Sequence, residues 1–222
     1  MLPERLSRRR LLGLAALGAA GAAWPVEEAS AGPRAVASGA VTCVLAPELT
    51  EGPYYLPNER VRRDITEGRP GTPLRLRLMV VSASSCKPIK GAAVDIWHAD
   101  ASGVYSGVAG NTGTFLRGIQ KTDRAGLAIF DTIYPGWYQG RAVHIHVKVH
   151  LGGNVVHTGQ LFFPDELSDK VYEAAPYKTR GNPDTPDAED AIYRNGGSHS
   201  LLRPVKSGSG YVGSMVMGVH TG

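Results

Sequence analysis

Cysteine is scarce: Cys43 and Cys86 are the only two in 222 residues, which permits one disulfide at most. An excess of charge is also lacking. The chain carries 24 Lys and Arg against 20 Asp and Glu, and residues 1–31 take four and three of these, leaving 20 against 17. No long basic run and no interleaving of basic with aromatic residues follows residue 31, which argues against nucleic acid as a partner. After the small-residue stretch that ends at Ala23, no second apolar segment of about 20 residues exists to span a bilayer. Helical periodicity is sparse and no internal repeat is present.

What is there begins with a leader. Ser7-Arg8-Arg9-Arg10-Leu11-Leu12, an apolar run to Ala23, and the small-x-small site Ala29-Ser30-Ala31 follow the order of a secretory signal. The arginine pair is similar to that of twin-arginine signals, although Leu11 stands where Phe is more frequent. The expectation is a signal peptide over 1–31, a linker or N-terminal segment over 32–48, and one domain over 49–222. The product is then exported, extracellular or periplasmic, with no membrane association after cleavage. An oxidising destination allows Cys43 and Cys86 to pair.

Strand signals dominate from residue 74. Leu74, Leu76, Leu78 and Val80 alternate with Arg75, Arg77 and Met79, the period of two of a half-buried strand. Ser84 to Pro88 reads as a turn and Gly91 to His98 as a second strand. Further strands are predicted over 127–131, 141–151, 155–163 and 211–219, with helices over 165–175 and 187–194. Many short strands and few helices predict an all-β fold, an antiparallel β-sandwich with short helices and long loops.

The segment 141–151 carries the chemistry. Val143, Ile145, Val147, Val149 and Leu151 fall on one face of a strand, and His144, His146, Lys148 and His150 on the other. Residues two apart lie roughly 6.6–6.8 Å apart and point the same way, so His144 and His146 can converge on one metal ion. A solvated strand face carries such a pair for polarity alone, and His150 is a rival ligand. Tyr138 stands six residues before His144, in the turn Pro135-Gly136-Trp137-Tyr138, and Tyr105 sits in the loop Asp100 to Gly107. Singly, each tyrosine reads as an amphipathic rim residue.

Together these segments resemble the intradiol ring-cleavage dioxygenases, the family of catechol 1,2- and protocatechuate 3,4-dioxygenases. The likeness runs from Leu49-Thr50-Glu51-Gly52-Pro53-Tyr54-Tyr55 to Gln160-Leu161-Phe162-Phe163, about half the chain, with weaker similarity toward Asp190-Ala191-Ile192-Tyr193. Its most specific parts are Asp95-Ile96-Trp97-His98-Ala99-Asp100 with Gly103-Val104-Tyr105, Thr122-Asp123 with Gly126, Pro135-Gly136-Trp137-Tyr138, and Arg141-Ala142-Val143-His144-Ile145-His146. The resemblance implies a non-haem iron(III) held by Tyr105, Tyr138, His144 and His146, with Tyr105 and His144 in plane and Tyr138 and His146 axial. Two phenolates and a hydroxide balance a hard trivalent ion, and two neutral imidazoles complete the set without adding charge. It implies small-molecule catechols and O2 as substrates: the catechol binds as a dianion, Tyr138 leaves the metal and takes a proton, and the bond between the hydroxyl-bearing carbons opens to a muconate-type diacid. Arg141 matches an arginine beside the reacting ring, suited to stabilising charge there. Gln160 matches a pocket glutamine, and Gly52, Pro53 and Tyr54 a pocket edge, although Tyr54 and Tyr55 also suit plain packing. His98 reads as a structural histidine, and His157, His199 and His220 are assigned nothing.

The sequence departs from intracellular members in having no long insertion between Tyr138 and His144 and no N-terminal helical dimerisation region. It is similar instead to a secreted bacterial subset, some of which add a carbohydrate-binding module; the expected state is monomer or homodimer. A short link should open the pocket to substituted catechols from lignin or other plant phenolics. The alternative is a secreted β-sandwich module that binds metal or carbohydrate without redox turnover, holding copper or zinc through His144, His146 and His150. An extradiol site would need a carboxylate beside the two histidines, and the neighbouring sequence offers none.

Overall fold

The computed structural model describes residues 44–57 and 59–221. The predicted leader, most of the predicted linker and Cys43 lie outside these residues. Eight strands are arranged in chain order as β1 (Pro73–Ser82), β2 (Ala93–Trp97), β3 (Arg117–Lys121), β4 (Leu127–Ile133), β5 (His144–Leu151), β6 (Asn154–Phe162), β7 (Val205–Ser207) and β8 (Gly210–Val219). Two short α-helices, α1 (Asp165–Tyr172) and α2 (Ala191–Arg194), and three single-turn 3-10 segments lie between β6 and β7.

The strands form two four-stranded sheets, ordered β4-β1-β8-β7 and β3-β2-β5-β6. The second is antiparallel throughout, whereas β1 pairs with β8 in parallel, Leu74 opposite Tyr211 through Ser82 opposite Val219. The expected all-β sandwich is present, with one mixed sheet. Local alternation carries no record of strand direction, so this pairing is set by the chain's return path.

Leu74, Leu76, Leu78, Val80, Ala128, Phe130, Met217 and Val219 of one sheet meet Val94, Ile96, Ile145, Val147, Val149 and Leu161 of the other in a single buried cluster. Each Val, Leu, Ile, Phe or Met side chain among them contributes roughly 1.5–3 kcal/mol through burial. A small cavity of about 120 Å3 adjoins this interior, lined in part by Val147, Leu161, Met217 and His199.

Several predicted boundaries shift. Arg141 is not on a strand: its N–H donates to Tyr138 O at 3.2 Å, closing a turn, and β5 starts at His144. Helix α1 ends at Tyr172, short of the predicted Ala175. The predicted helix over 187–194 is broken at Asp190, whose extended backbone (ψ 121°) caps α2 instead. Strands β3 and β7 had no clear alternation to announce them.

The outer face of the sheet β3-β2-β5-β6 is covered by the N-terminal part of the domain. Leu49 N–H donates to Thr158 O on β6, while Arg62 N–H donates to Ile119 O and Ile119 N–H to Arg60 O on β3. The described residues between them lie over the sheet, Gly52 against His146 and Tyr55 against Trp97. One row beneath them, Arg117, Trp97, His146 and Gln160 in register across four strands, is at most 1% exposed.

Candidate metal centre

Two loops bring the tyrosines together. Tyr105 lies in the connection between β2 and β3, and Tyr138 in the turn between β4 and β5. A side chain at Gly136 would place its Cβ 2.0 Å from Asp100 O, so this close approach requires glycine. Arg180 ties the same loops, donating from Nη1 to Trp137 O at 2.7 Å and to Ser102 O, with its guanidinium 4.1 Å from the Trp137 ring. The Tyr105 and Tyr138 rings then stand 5.7 Å apart, centroid to centroid.

The histidines arrive on β5. His144 Nδ1 is 2.7 Å from Ala142 O, which can only accept, so Nδ1 carries the proton and Nε2 keeps its lone pair. That Nε2 lies 3.1 Å from Tyr138 Oη and 3.2 Å from His146 Nε2. Trp97 plates the His146 ring at 4.9 Å and 4°, and Gly52 (φ +72°) passes so close that a Cβ there would meet His146 Cε1 at 3.2 Å. The Tyr105 ring is 6.1 Å from that of His146, and Tyr105 Oη is buried without a hydrogen-bond partner.

Burial sets the protonation states. It pushes the His144 imidazole down to about 3, with Arg141 adding to the effect. His146 is held well below its ordinary value by burial and then by His144 and Arg141. Burial, followed by the neighbouring Tyr138, drives the Tyr105 phenol well above the usual range. Tyr138 is raised by burial against the opposing pull of Arg141. Both imidazoles therefore offer lone pairs, and both phenols keep their protons until a strong cation compensates the charge.

Arg141 is fixed on three sides. It donates to Tyr138 Oη at 3.3 Å, to Gln160 Oε1 at 2.5 Å and to Asp190 Oδ2 at 2.7 Å. Gln160 Nε2 in turn donates to Thr50 O at 2.9 Å. Sequence reasoning gave no role to Asp190, which is 1% exposed and also accepts from Ala142 N–H at 2.9 Å and from Ile192 and Tyr193 N–H in α2. The break in the helical pattern at 190 and its cap-forming side chain were the available signals.

The remaining expected residues separate into edge, packing and support. Tyr54 stacks on Tyr105 at 4.6 Å and meets Tyr138 edge-on at 6.0 Å, and Pro53 is exposed beside it. Tyr55 packs on Trp97 at 4.9 Å beneath Lys148 Nζ at 3.9 Å, while Lys148 also pairs with Glu51. His98 is a satisfied structural group, with Nδ1 2.9 Å from Ala99 O and Nε2 2.8 Å from Thr132 Oγ1. His150 follows a register shift after Val149 and faces Ala93 and Val155, apart from the cluster. His157 pairs with Glu48 at 2.8 Å, and His220 is exposed. Cys86 is disulfide-bonded; its expected partner Cys43 lies outside the described residues.

The donor set fits a hard trivalent cation. Two phenol oxygens that become anionic on binding and two neutral imidazoles would offset two of the three charges of iron(III), leaving one for an anionic oxygen such as hydroxide or substrate, and the orphaned Tyr105 Oη would gain a partner. Among the described residues, no group of three or more His, Cys, Asp or Glu side chains is placed to hold a metal ion.

Comparison with known proteins agrees with this geometry. Residues 50–179 match the family model described as Dioxygenase. An intradiol ring-cleavage dioxygenase from Tetranychus urticae is 34% identical, with a TM-score of 0.77 and coverage of 80% of this chain and 95% of that one. The dioxygenase domain of a dioxygenase carbohydrate-binding protein fusion from the cellulolytic bacterium Streptomyces sp. SirexAA-E is 31% identical, with a TM-score of 0.62 and coverage of 80% and 99%. Catechol 1,2-dioxygenase from Pseudomonas arvilla C-1, 23% identical with a TM-score of 0.57 and coverage of 79% and 62%, shares the fold. No curated protein matches the chain. The chain is therefore placed among the ring-opening dioxygenases. It belongs to the intradiol ring-cleavage dioxygenase family, whose members generally depend on non-haem iron(III).

Proposed function

We propose that this enzyme holds iron(III) with Tyr105, Tyr138, His144 and His146 and cleaves catechols between their hydroxyl-bearing carbons with O2, giving muconate-type diacids. The observation that carries the reading is the run of Tyr138 Oη, His144 Nε2 and His146 Nε2 at 3.1 and 3.2 Å beside the unpartnered Tyr105 Oη. Bound there, iron(III) would supply chelation of both catechol oxygens and make the ring reactive towards O2.

The protein's own groups divide the remaining work. Tyr138 is the more exposed of the two phenols and lies within reach of Arg141, so it is placed to accept a proton from an arriving catechol hydroxyl. Arg141, held by Asp190 and Gln160, presents a fixed cation where negative charge grows on the substrate. Tyr54 packs against both phenols and Gly52 against His146.

The substrates are plant-derived or lignin-related catechols with ring substituents, and the enzyme acts outside the cytoplasm after twin-arginine export. The short link from Tyr138 to His144 and the cellulolytic source of one relative support the first statement, and the leader and the disulfide-bonded Cys86 the second. The iron-loaded protein, given catechol, 4-methylcatechol, protocatechuate and hydroxyquinol, should consume one O2 per ring and yield diacid spectra, with substituted rings accepted. Turnover confined to unsubstituted catechol would remove the substrate reading, and no O2 uptake with any of them would remove the reaction. Fusion of residues 1–31 to a folded reporter should give twin-arginine-dependent export; export through the unfolded-chain route alone would refute that route.

A further inference from the structure

We propose that Arg117 is a positioning residue for Tyr105, holding that phenol in the centre from behind; the inference rests on the iron reading above. Tyr105 sits midway in the long connection between β2 and β3, and its own hydroxyl makes no well-formed hydrogen bond, only a loose approach to Tyr138. Arg117, the first residue of β3 and 1% exposed, grips the next residue along. Its Nε and Nη2 donate to Ser106 O at 3.1 and 2.8 Å, and Nε also reaches Ser106 Oγ at 3.0 Å. Ser106 Oγ in turn donates to Phe115 O at 2.6 Å, so the loop is cross-braced at the residue that follows the ligand.

The charge of Arg117 matters as well as its shape. Its guanidinium carbon lies 5.9 Å from the Tyr105 ring centroid, Nη1 has no hydrogen-bond partner, and its ion pair with Glu59 Oε1 spans 3.9 Å, too long for a hydrogen bond. A buried cation that has the carboxylates of Glu59 and Asp95 near it, but no hydrogen bond to either, is weakly compensated. Beside a metal-bound phenolate it has an anion to face, as Arg141 has at Tyr138. A lysine has no planar fork to hold Ser106 through both nitrogens, although it would keep the charge.

The test uses the full iron-loaded chain and reads the tyrosinate-to-iron absorption band and the rate of iron loss to a chelator. Arg117→Met should move the band to longer wavelength and lose iron at least tenfold faster. Arg117→Lys should keep the band within a few nanometres of wild type and still lose iron faster. Arg62→Met is the control, because Arg62 Nε and Nη2 brace the same strand end at Arg117 O, 3.1 and 2.8 Å away; it should lower stability and leave both readouts unchanged. Wild-type band and iron retention in Arg117→Met would overturn the inference, as would equal changes in Arg62→Met. If Arg117→Met does not fold, wild-type iron retention in Arg117→Lys overturns it. Absence of the band from the wild type would instead overturn the iron reading.

Discussion

The two faces of the sheet β3-β2-β5-β6 are made by alternate residues of the same strands, yet they do different work. The inner face, Val94, Ile96, Ile145, Val147, Val149 and Leu161, is apolar and closes the core. The outer face, with Arg117, Trp97, Asp95, His146, Lys148 and Gln160, is also buried but polar, because residues 49–57 and 59–62 roof it. Burial stabilises the first face directly. On the second it has a cost, offset by hydrogen bonds and by what the groups are placed to bind. Asp95 illustrates that cost: burial and then Glu59 push its carboxyl up to about 7.

Substitutions on the two faces should therefore separate. Exchange of Tyr105 and Tyr138 together for Phe is expected to abolish iron binding and ring opening with the fold retained, read by metal content, O2 uptake and circular dichroism. Intact iron and turnover in that variant would remove the proposed centre. Ile145→Ala, one residue from each histidine but facing inward, should cost about 2–5 kcal/mol in urea unfolding while the folded fraction keeps its turnover. A specific loss of kcat there would mean that the faces are not independent.

Asp190→Asn should lower kcat by about 10–100-fold with little change in KM or iron content, since the variant removes the charge that holds Arg141 without touching a ligand. A change confined to KM would assign Asp190 to substrate binding instead.

The last prediction concerns His98, which reaches from the end of β2 to Thr132 on the opposite sheet. Burial pushes its imidazole down to about 4. An unfolded histidine takes a proton below about 6.5 while the folded one does not until about 4, so its contribution to stability is complete above about 6.5 and declines as pH falls. Between pH 7 and 5 the metal-free protein should lose about 2 kcal/mol more than its His98→Gln variant by urea unfolding. Equal losses would show that His98 is not held neutral.

Much of this was legible before any coordinates. Alternation located β1 and the inner face of β5, because period two is a local property of an extended chain. Residue types at 105, 138, 144 and 146 pointed to one donor set. Strand β3 was not legible, since Arg117-Gly118-Ile119-Gln120-Lys121 shows no apolar alternation. Its place depends on Trp97 and Val61 pairing with it across the sheet. Asp190 looked like part of a helix because its bond to Arg141 spans 49 residues, beyond what a window of sequence can weigh.

By itself the sequence determined which residues alternate, where turns must fall and which side chains have the charge and donor chemistry for a ferric ion. Tertiary structure alone decided that β1 and β8 run in parallel, that the two tyrosine loops close on each other at Gly136, and that Arg117 and Asp190 stand behind the site. The physical reason is that alternation and turn chemistry act between neighbours in the chain, whereas convergence and charge compensation act between groups that only packing brings together.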